Sequence, residues 1–123
     1  MKPIKVIDLF AGPGGLGEGF SSLRAENGDA LFKISLSIEK DRAAHRTLKL
    51  RALFRAFRSE NVPEEYYAFL RGELGRYPEH YLYGLPEIRP ALEAASTEAQ
   101  CLELGVTSER TVLNAVRSAL GGD

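Results

Sequence analysis

The sequence predicts an α/β fold: two parallel strands near the amino terminus, joined through a helix, and then an almost wholly helical remainder. Three observations lead there. The stretch IKVIDLF (Ile4 to Phe10) is nearly continuous in apolar and β-branched residues, as in a strand buried on both faces of a parallel sheet. The glycine-rich run DLFAGPGGLGEGF follows without a break. Beyond residue 41 the apolar side chains recur only at helical spacing.

Leu16, Phe20 and Leu23 stand four and three residues apart, so the chain passes from strand to helix inside the glycine run, and Asn27-Gly28-Asp29 stops that helix. FKISLSI (Phe32 to Ile38) is the second strand, rich in β-formers. Strand, helix and strand in so short a stretch favour two parallel neighbours joined by a right-handed crossover.

From Asp41 to Arg58 the spacing predicts a helix with an apolar stripe of Leu50, Leu53, Phe54 and Phe57. Its other faces carry Arg42, Arg46 and Lys49, then Arg51, Arg55 and Arg58. Asp41 suits the first turn, where a negative charge meets the positive end of the helix dipole. Asn61 and Glu64 are candidate caps of a short helix ending at Gly72 or Gly75, and RYPEHYLYGLP reads as irregular. Ile88, Leu92, Ala95, Ala99 and Leu102 predict another helix before Gly105, and Thr107 opens a last one bearing Leu113, Val116 and Leu120.

The 123 residues fit one compact unit, with no internal repeat and no low-complexity tract. No apolar run reaches the roughly 18 residues of a membrane span, and the start lacks the features of a signal peptide, so the cytoplasm is expected. A single cysteine, Cys101, excludes an internal disulfide framework. Net charge is −1, but residues 40–58 carry seven Lys/Arg against one acid, whereas residues 59–123 carry five against eleven. The basic helix is read as a solvated face paired with the acidic tail rather than as a phosphate-binding surface.

Gly12, Gly14 and Gly17 form G-x-G-x-x-G between strand and helix, where missing side chains allow a tight turn and close approach of backbone N–H groups to a ligand. Glu39 ends the second strand, 22 residues past Gly17, where an acid can accept hydrogen bonds from both hydroxyls of a ribose. Adjacent parallel strands open on one crevice, which ties the two features together.

The run DLFAGPGGLGEGF, followed by SIEKDRAAHRTL, closely resembles the first two motifs of the DNA (cytosine-5-)-methyltransferases, which use S-adenosylmethionine. Asp8, Phe10, Ala11, Gly12, Gly14, Gly15, Gly19 and Phe20 stand in that pattern, and the likeness covers residues 3–50. It implies a partial Rossmann-like S-adenosylmethionine-dependent methyltransferase fold, with residues 1–58 in the cofactor-binding domain and 59–123 as a helical insertion. It further implies that Phe10, Gly12 and Gly14 line the cofactor pocket. The backbone of Ala11, Pro13 and Gly15 would address the methionine end, and Glu39 would hold the ribose. Lys40 stands where the family often has a bulky apolar residue against the adenine. Double-stranded DNA is the implied partner of the full-length enzyme.

Family members attack cytosine through a cysteine in a Pro-Cys dipeptide, and none occurs here. No catalytic residue is therefore assigned; Cys101 reads as a small, partly buried helix residue. The family's acid for the adenine amino group has no match by sequence. His45 and His80 lack partners at ligand spacing, so no metal is expected. Two strands cannot protect both edges and faces, which points to the opening segment of a larger domain, to self-association, or to a second chain that completes the sheet. The same glycines with Glu39 also fit a dinucleotide-binding oxidoreductase, and a non-catalytic helical interaction module is the reading from another class.

Overall fold

The computed structural model describes residues 2–57 and 61–121. Strand β1 (Ile4–Leu9) leads through the glycine turn into α1 (Gly15–Ser22), and β2 (Phe32–Ile38) leads into α2 (Arg42–Ala56). Three helices follow: α3 (Glu64–Leu70), α4 (Pro78–Tyr83) and, after a 3-10 turn at Pro86–Ile88, α5 (Arg89–Glu98). The chain then forms β3 (Ala99–Gln100) and closes with α6 (Glu109–Ala119).

β1 and β2 pair in parallel from Ile4 opposite Phe32 to Leu9 opposite Ile38, with a register shift between Val6 and Ile7. β3 corrects the expected two-stranded sheet. Ser37 faces Ala99 and Ile38 faces Gln100, again in parallel, so the described residues form a sheet in the order β1-β2-β3. The helical repeat from Ile88 to Leu102 hides this strand, because Ala99 continues the spacing although the helix ends at Glu98. A strand of two residues has no alternation of its own to reveal it.

Burial corrects a second expectation. β1 is not covered on both faces: Ile4 is 63% exposed and Leu9 45%, and among the described residues β1 is an edge strand paired with β2. β2 is the central strand, with Ile34, Leu36, Ser37 and Ile38 buried.

Asp41 caps α2, its carboxylate accepting from Ala44 N at 3.1 Å. The core-facing residues of α2 are Leu48, Ala52 and Leu53 rather than the full expected stripe, since Phe54 is exposed and stacks on Tyr66 at 5.2 Å. Arg58 lies outside the described residues. Pro63, not Asn61, precedes α3, with its fixed φ of −67° setting the entry in place of a side-chain cap. RYPEHYLYGLP contains α4, since Pro78 in its first turn is compatible with a helix start. Ser108, not Thr107, caps α6 by accepting from Thr111 N.

Leu48 and Leu53 share one core with Tyr66, Leu82, Ile88 and Ala95, so α3, α4 and α5 gather on α2, whereas α6 packs against β2. Arg55 joins three helices: it pairs with Glu18 of α1 and with Glu98 of α5, the latter at 2.6 Å. Arg46 pairs with Glu79 at 2.8 Å, and Lys49 lies 4.8 Å over the Tyr83 ring. These contacts turn part of the basic face of α2 toward its own chain. No described helix is long and apolar enough to cross a membrane.

Candidate functional site

The carboxyl ends of all three strands converge on the glycine turn. Ala11 N donates to Ile38 O at 2.9 Å, which fastens the turn to β2 as β1 ends. Gly14 N donates to Ala11 O, and Gly14, with φ 96°, caps α1. A side chain there meets two obstacles: the left-handed backbone, and Leu48 Cδ1 at 2.9 Å from an ideal Cβ. At Gly12 and Gly15 a Cβ would meet nothing within 4 Å, so these glycines border open space.

Glu39 unites the turn with the second strand end. Its Oε1 accepts from Gly12 N at 2.9 Å and its Oε2 from Asp41 N at 2.7 Å. These two bonds, that from Asp41 first, hold the carboxyl below the usual glutamate range. Each oxygen keeps a second lone pair, enough to accept from two vicinal hydroxyls. Glu39 N also donates to Gln100 O at 3.1 Å, tying the residue to β3.

Beside Glu39 lies a cavity of about 140 Å³ lined by Phe10, Ile38, Glu39, Lys40 and residues 102–104. Typical small-molecule sites start at roughly 300 Å³, so this hollow suits one ring system rather than a whole ligand. Phe10 stands at its rim, 76% exposed and with φ 58°, a strained conformation for a bulky residue. Strain of this kind concentrates at ligand-binding positions.

The structure therefore brings Phe10, Glu39 and Lys40 to one cavity and Gly12 to its edge through Glu39. Pro13 is exposed in the turn, and Ala11 is buried beneath it. The N–H groups of Ala11, Gly12 and Gly14 are already engaged, whereas among the described residues those of Gly15 and Leu16, in the first turn of α1, find no acceptor. A ligand carboxylate fits these last two best.

Sequence reasoning misses Leu102, Glu103 and Leu104. They follow β3, and without that strand nothing in LEL marks them as neighbours of Glu39. Lys40 Nζ lies 3.8 Å from Glu103 Oε1. Cys101 is also relocated: it is exposed and lies past β3, not in a helix, with its thiol 3.6 Å from Lys40 O.

Asp8, on β1, has Oδ2 buried without a partner, and burial raises its carboxyl above the usual aspartate range. His45 Nε2 lies 2.9 Å from Ala99 O; only as the N–H donor can it bond that carbonyl, and it then pins β3 to α2. Among the described residues no group of three His, Cys, Asp or Glu side chains is placed to hold a metal. A larger open groove, of about 1160 Å³, runs past Phe32, Lys33 and Arg55 at the amino ends of the strands. It holds none of the glycine-turn residues, and ligands of parallel α/β sheets bind at the opposite, carboxyl ends.

Over 66 residues, 54% of its length, the chain is 39% identical to a type II methyltransferase, M.Bpa9945I, of Bacillus paralicheniformis. That likeness supports a methyltransferase. The chain spans 13% of the length of this relative. No family model and no solved structure matches the chain.

Proposed function

We propose that this chain is the cofactor-binding part of an S-adenosylmethionine-dependent methyltransferase that modifies C5 of cytosine in double-stranded DNA. One observation carries the proposal: Glu39 and the Gly12 amide are joined at the edge of a small cavity where three parallel strands end. The donor set fits the cofactor. Glu39 offers two free lone pairs to the ribose hydroxyls, and the N–H groups of Gly15 and Leu16 donate to the methionine carboxylate. The cavity takes the adenine against Phe10, Ile38 and Leu102, with Glu103 as acceptor for its amino group.

When bound, the cofactor supplies an electrophilic methyl group on sulfonium sulfur. The residues of this chain bind and orient; among the described residues none is placed as nucleophile or base, and with no Pro-Cys dipeptide the chain alone is expected to transfer no methyl group. C5 of cytosine as the target rests on the resemblance of residues 8–20 to the cytosine-5 family.

Calorimetric titration of the chain with S-adenosylhomocysteine and with NADH tests the cofactor. Binding of the adenosyl compound alone, weakened at least tenfold by Glu39→Ala, is the expected result. Preference for NADH would move the chain to the oxidoreductases. Mass spectrometry of nucleosides from cells expressing the whole gene tests the target base. 5-Methylcytosine is expected, and N4-methylcytosine or N6-methyladenine in its place refutes that part.

A further inference from the structure

Lys40 and Glu103 face each other across the cavity mouth. Lys40 is the only cation among the lining residues, and two acids share that lining with it, Glu39 and Glu103. Each oxygen of Glu39 is held by one backbone N–H group, and the Lys40 ammonium pairs with Glu103, at 3.8 Å. The two side chains are 67% and 47% exposed, and an ion pair so wet contributes little to the fold.

Both backbones are nevertheless fixed. Lys40 O lies within reach of the Cys101 thiol, and Glu103 N donates to Thr107 Oγ1 at 2.9 Å while Glu103 O accepts from Thr107 N at 2.7 Å. The charged ends can therefore separate by side-chain rotation alone, without movement of either backbone.

We infer that the Lys40–Glu103 pair is a clasp across the cavity, opened when a purine ring enters, so that Lys40 sets ligand affinity by competing for Glu103. This rests on the reading above that the cavity receives the adenine. In the free protein Glu103 is ion-paired with the ammonium; in the complex it accepts from the ring's amino group, and the Lys40 ammonium turns to solvent while its methylene stem covers the ring. An apolar residue at position 40 would cover the ring without that competition. Lys40 thus lowers affinity and makes it depend on salt.

The test uses the chain as it stands, with S-adenosylhomocysteine and with uncharged adenosine as probes. Lys40→Met keeps the stem and removes the charge, and it is expected to tighten both probes roughly two- to fivefold, the range set by a typical exposed ion pair. Lys40→Arg keeps the clasp and should match the parent. Raising salt from about 0.05 M to about 1 M shortens the screening length to roughly 3 Å and should tighten adenosine binding to the parent but not to Lys40→Met. Binding by Lys40→Met alone, with the parent silent, also supports the clasp.

If the parent binds, and loses binding on Glu39→Ala, yet Lys40→Met leaves affinity unchanged or weakens it, the clasp is wrong and the adenosyl reading survives. If neither the parent nor Lys40→Met binds either probe, the adenosyl reading fails and the clasp falls with it. Both side chains are exposed, so circular dichroism should show the parent fold in every variant.

Discussion

At the scale of the residue, Phe10 and Glu39 carry opposite costs. Phe10 holds a left-handed backbone at φ 58° that an L side chain adopts at a cost of about 1–2 kcal/mol, yet its ring is mostly in solvent. Phe10→Gly should therefore leave urea stability unchanged or raise it by about 1 kcal/mol. Titration of the same variant should show roughly three- to tenfold weaker adenosyl binding, as one aromatic wall is lost. A residue that costs stability and improves binding behaves in this way.

Glu39 contributes to stability as well as to binding. Its carboxyl is held low by Asp41 N and Gly12 N, so its contribution is fully present above the unfolded glutamate value of 4.5 and is lost as pH falls through the lower folded value. Urea midpoints measured downward from pH 4.5 should fall less steeply in Glu39→Gln than in the parent. Asp8 has the opposite sign: its raised carboxyl favours the protonated native state, so stability declines as pH rises above the unfolded value of 3.8. Asp8→Asn should flatten that decline. Glu39 is legible in the sequence because the glycine run and the strand end fix its place. Glu103 is not, since its relevance depends on a strand with no readable pattern.

At the scale of the element, the two glycines flanking the start of α1 separate backbone constraint from packing. Gly14 sits at φ 96° with Leu48 close to where a Cβ would be, whereas at Gly17 the nearest atom to an added Cβ is Ile34 Cγ1 at 3.7 Å, an ordinary contact. Gly14→Ala should cost about 1–3 kcal/mol by chemical denaturation, and trimming Leu48 to Ala in that background should not restore it, because the φ strain remains. Gly17→Ala should be neutral or stabilising by up to about 1 kcal/mol, from helix propensity. G-x-G-x-x-G thus contains glycines with different duties, a distinction spacing alone does not reveal. The elements β1, α1, β2 and α2 are legible because the β-branched apolar runs of the strands and the 3.6-residue period of the helices extend over enough residues to be recognised. β3 is too short for that, and the aromatic and proline content of α4 masks a single helical turn and a half. The clamp of Arg55 on Glu18 and Glu98 is equally hidden, as it joins residues 37 and 43 positions apart.

At the scale of the whole molecule, the sheet is closed unevenly. β3 covers only the last residues of β2, and β1 leaves a row of backbone groups and the side chains of Ile4 and Leu9 in the open. Such an edge favours pairing with another strand. Sedimentation velocity should show association that increases with concentration and is reduced by Ile4→Lys, which places a charge on the edge. A strictly monomeric chain at every concentration would show that the edge is protected by other means. The apolar character of Ile4 to Phe10 is legible in the sequence; its exposure is not, because burial depends on which strands stand beside it.

The junction between α5 and β3 has a mechanical consequence. No loop separates them: Glu98 ends the helix in the grip of Arg55, Ala99 begins the strand with its carbonyl bonded to His45, and Gln100 O takes the Glu39 amide. Three residues later the chain forms a wall of the cavity. Helix α5 is thus a lever without a joint, and a load applied at its far end is transmitted to the wall of the cavity beside Glu39 instead of being absorbed by slack chain.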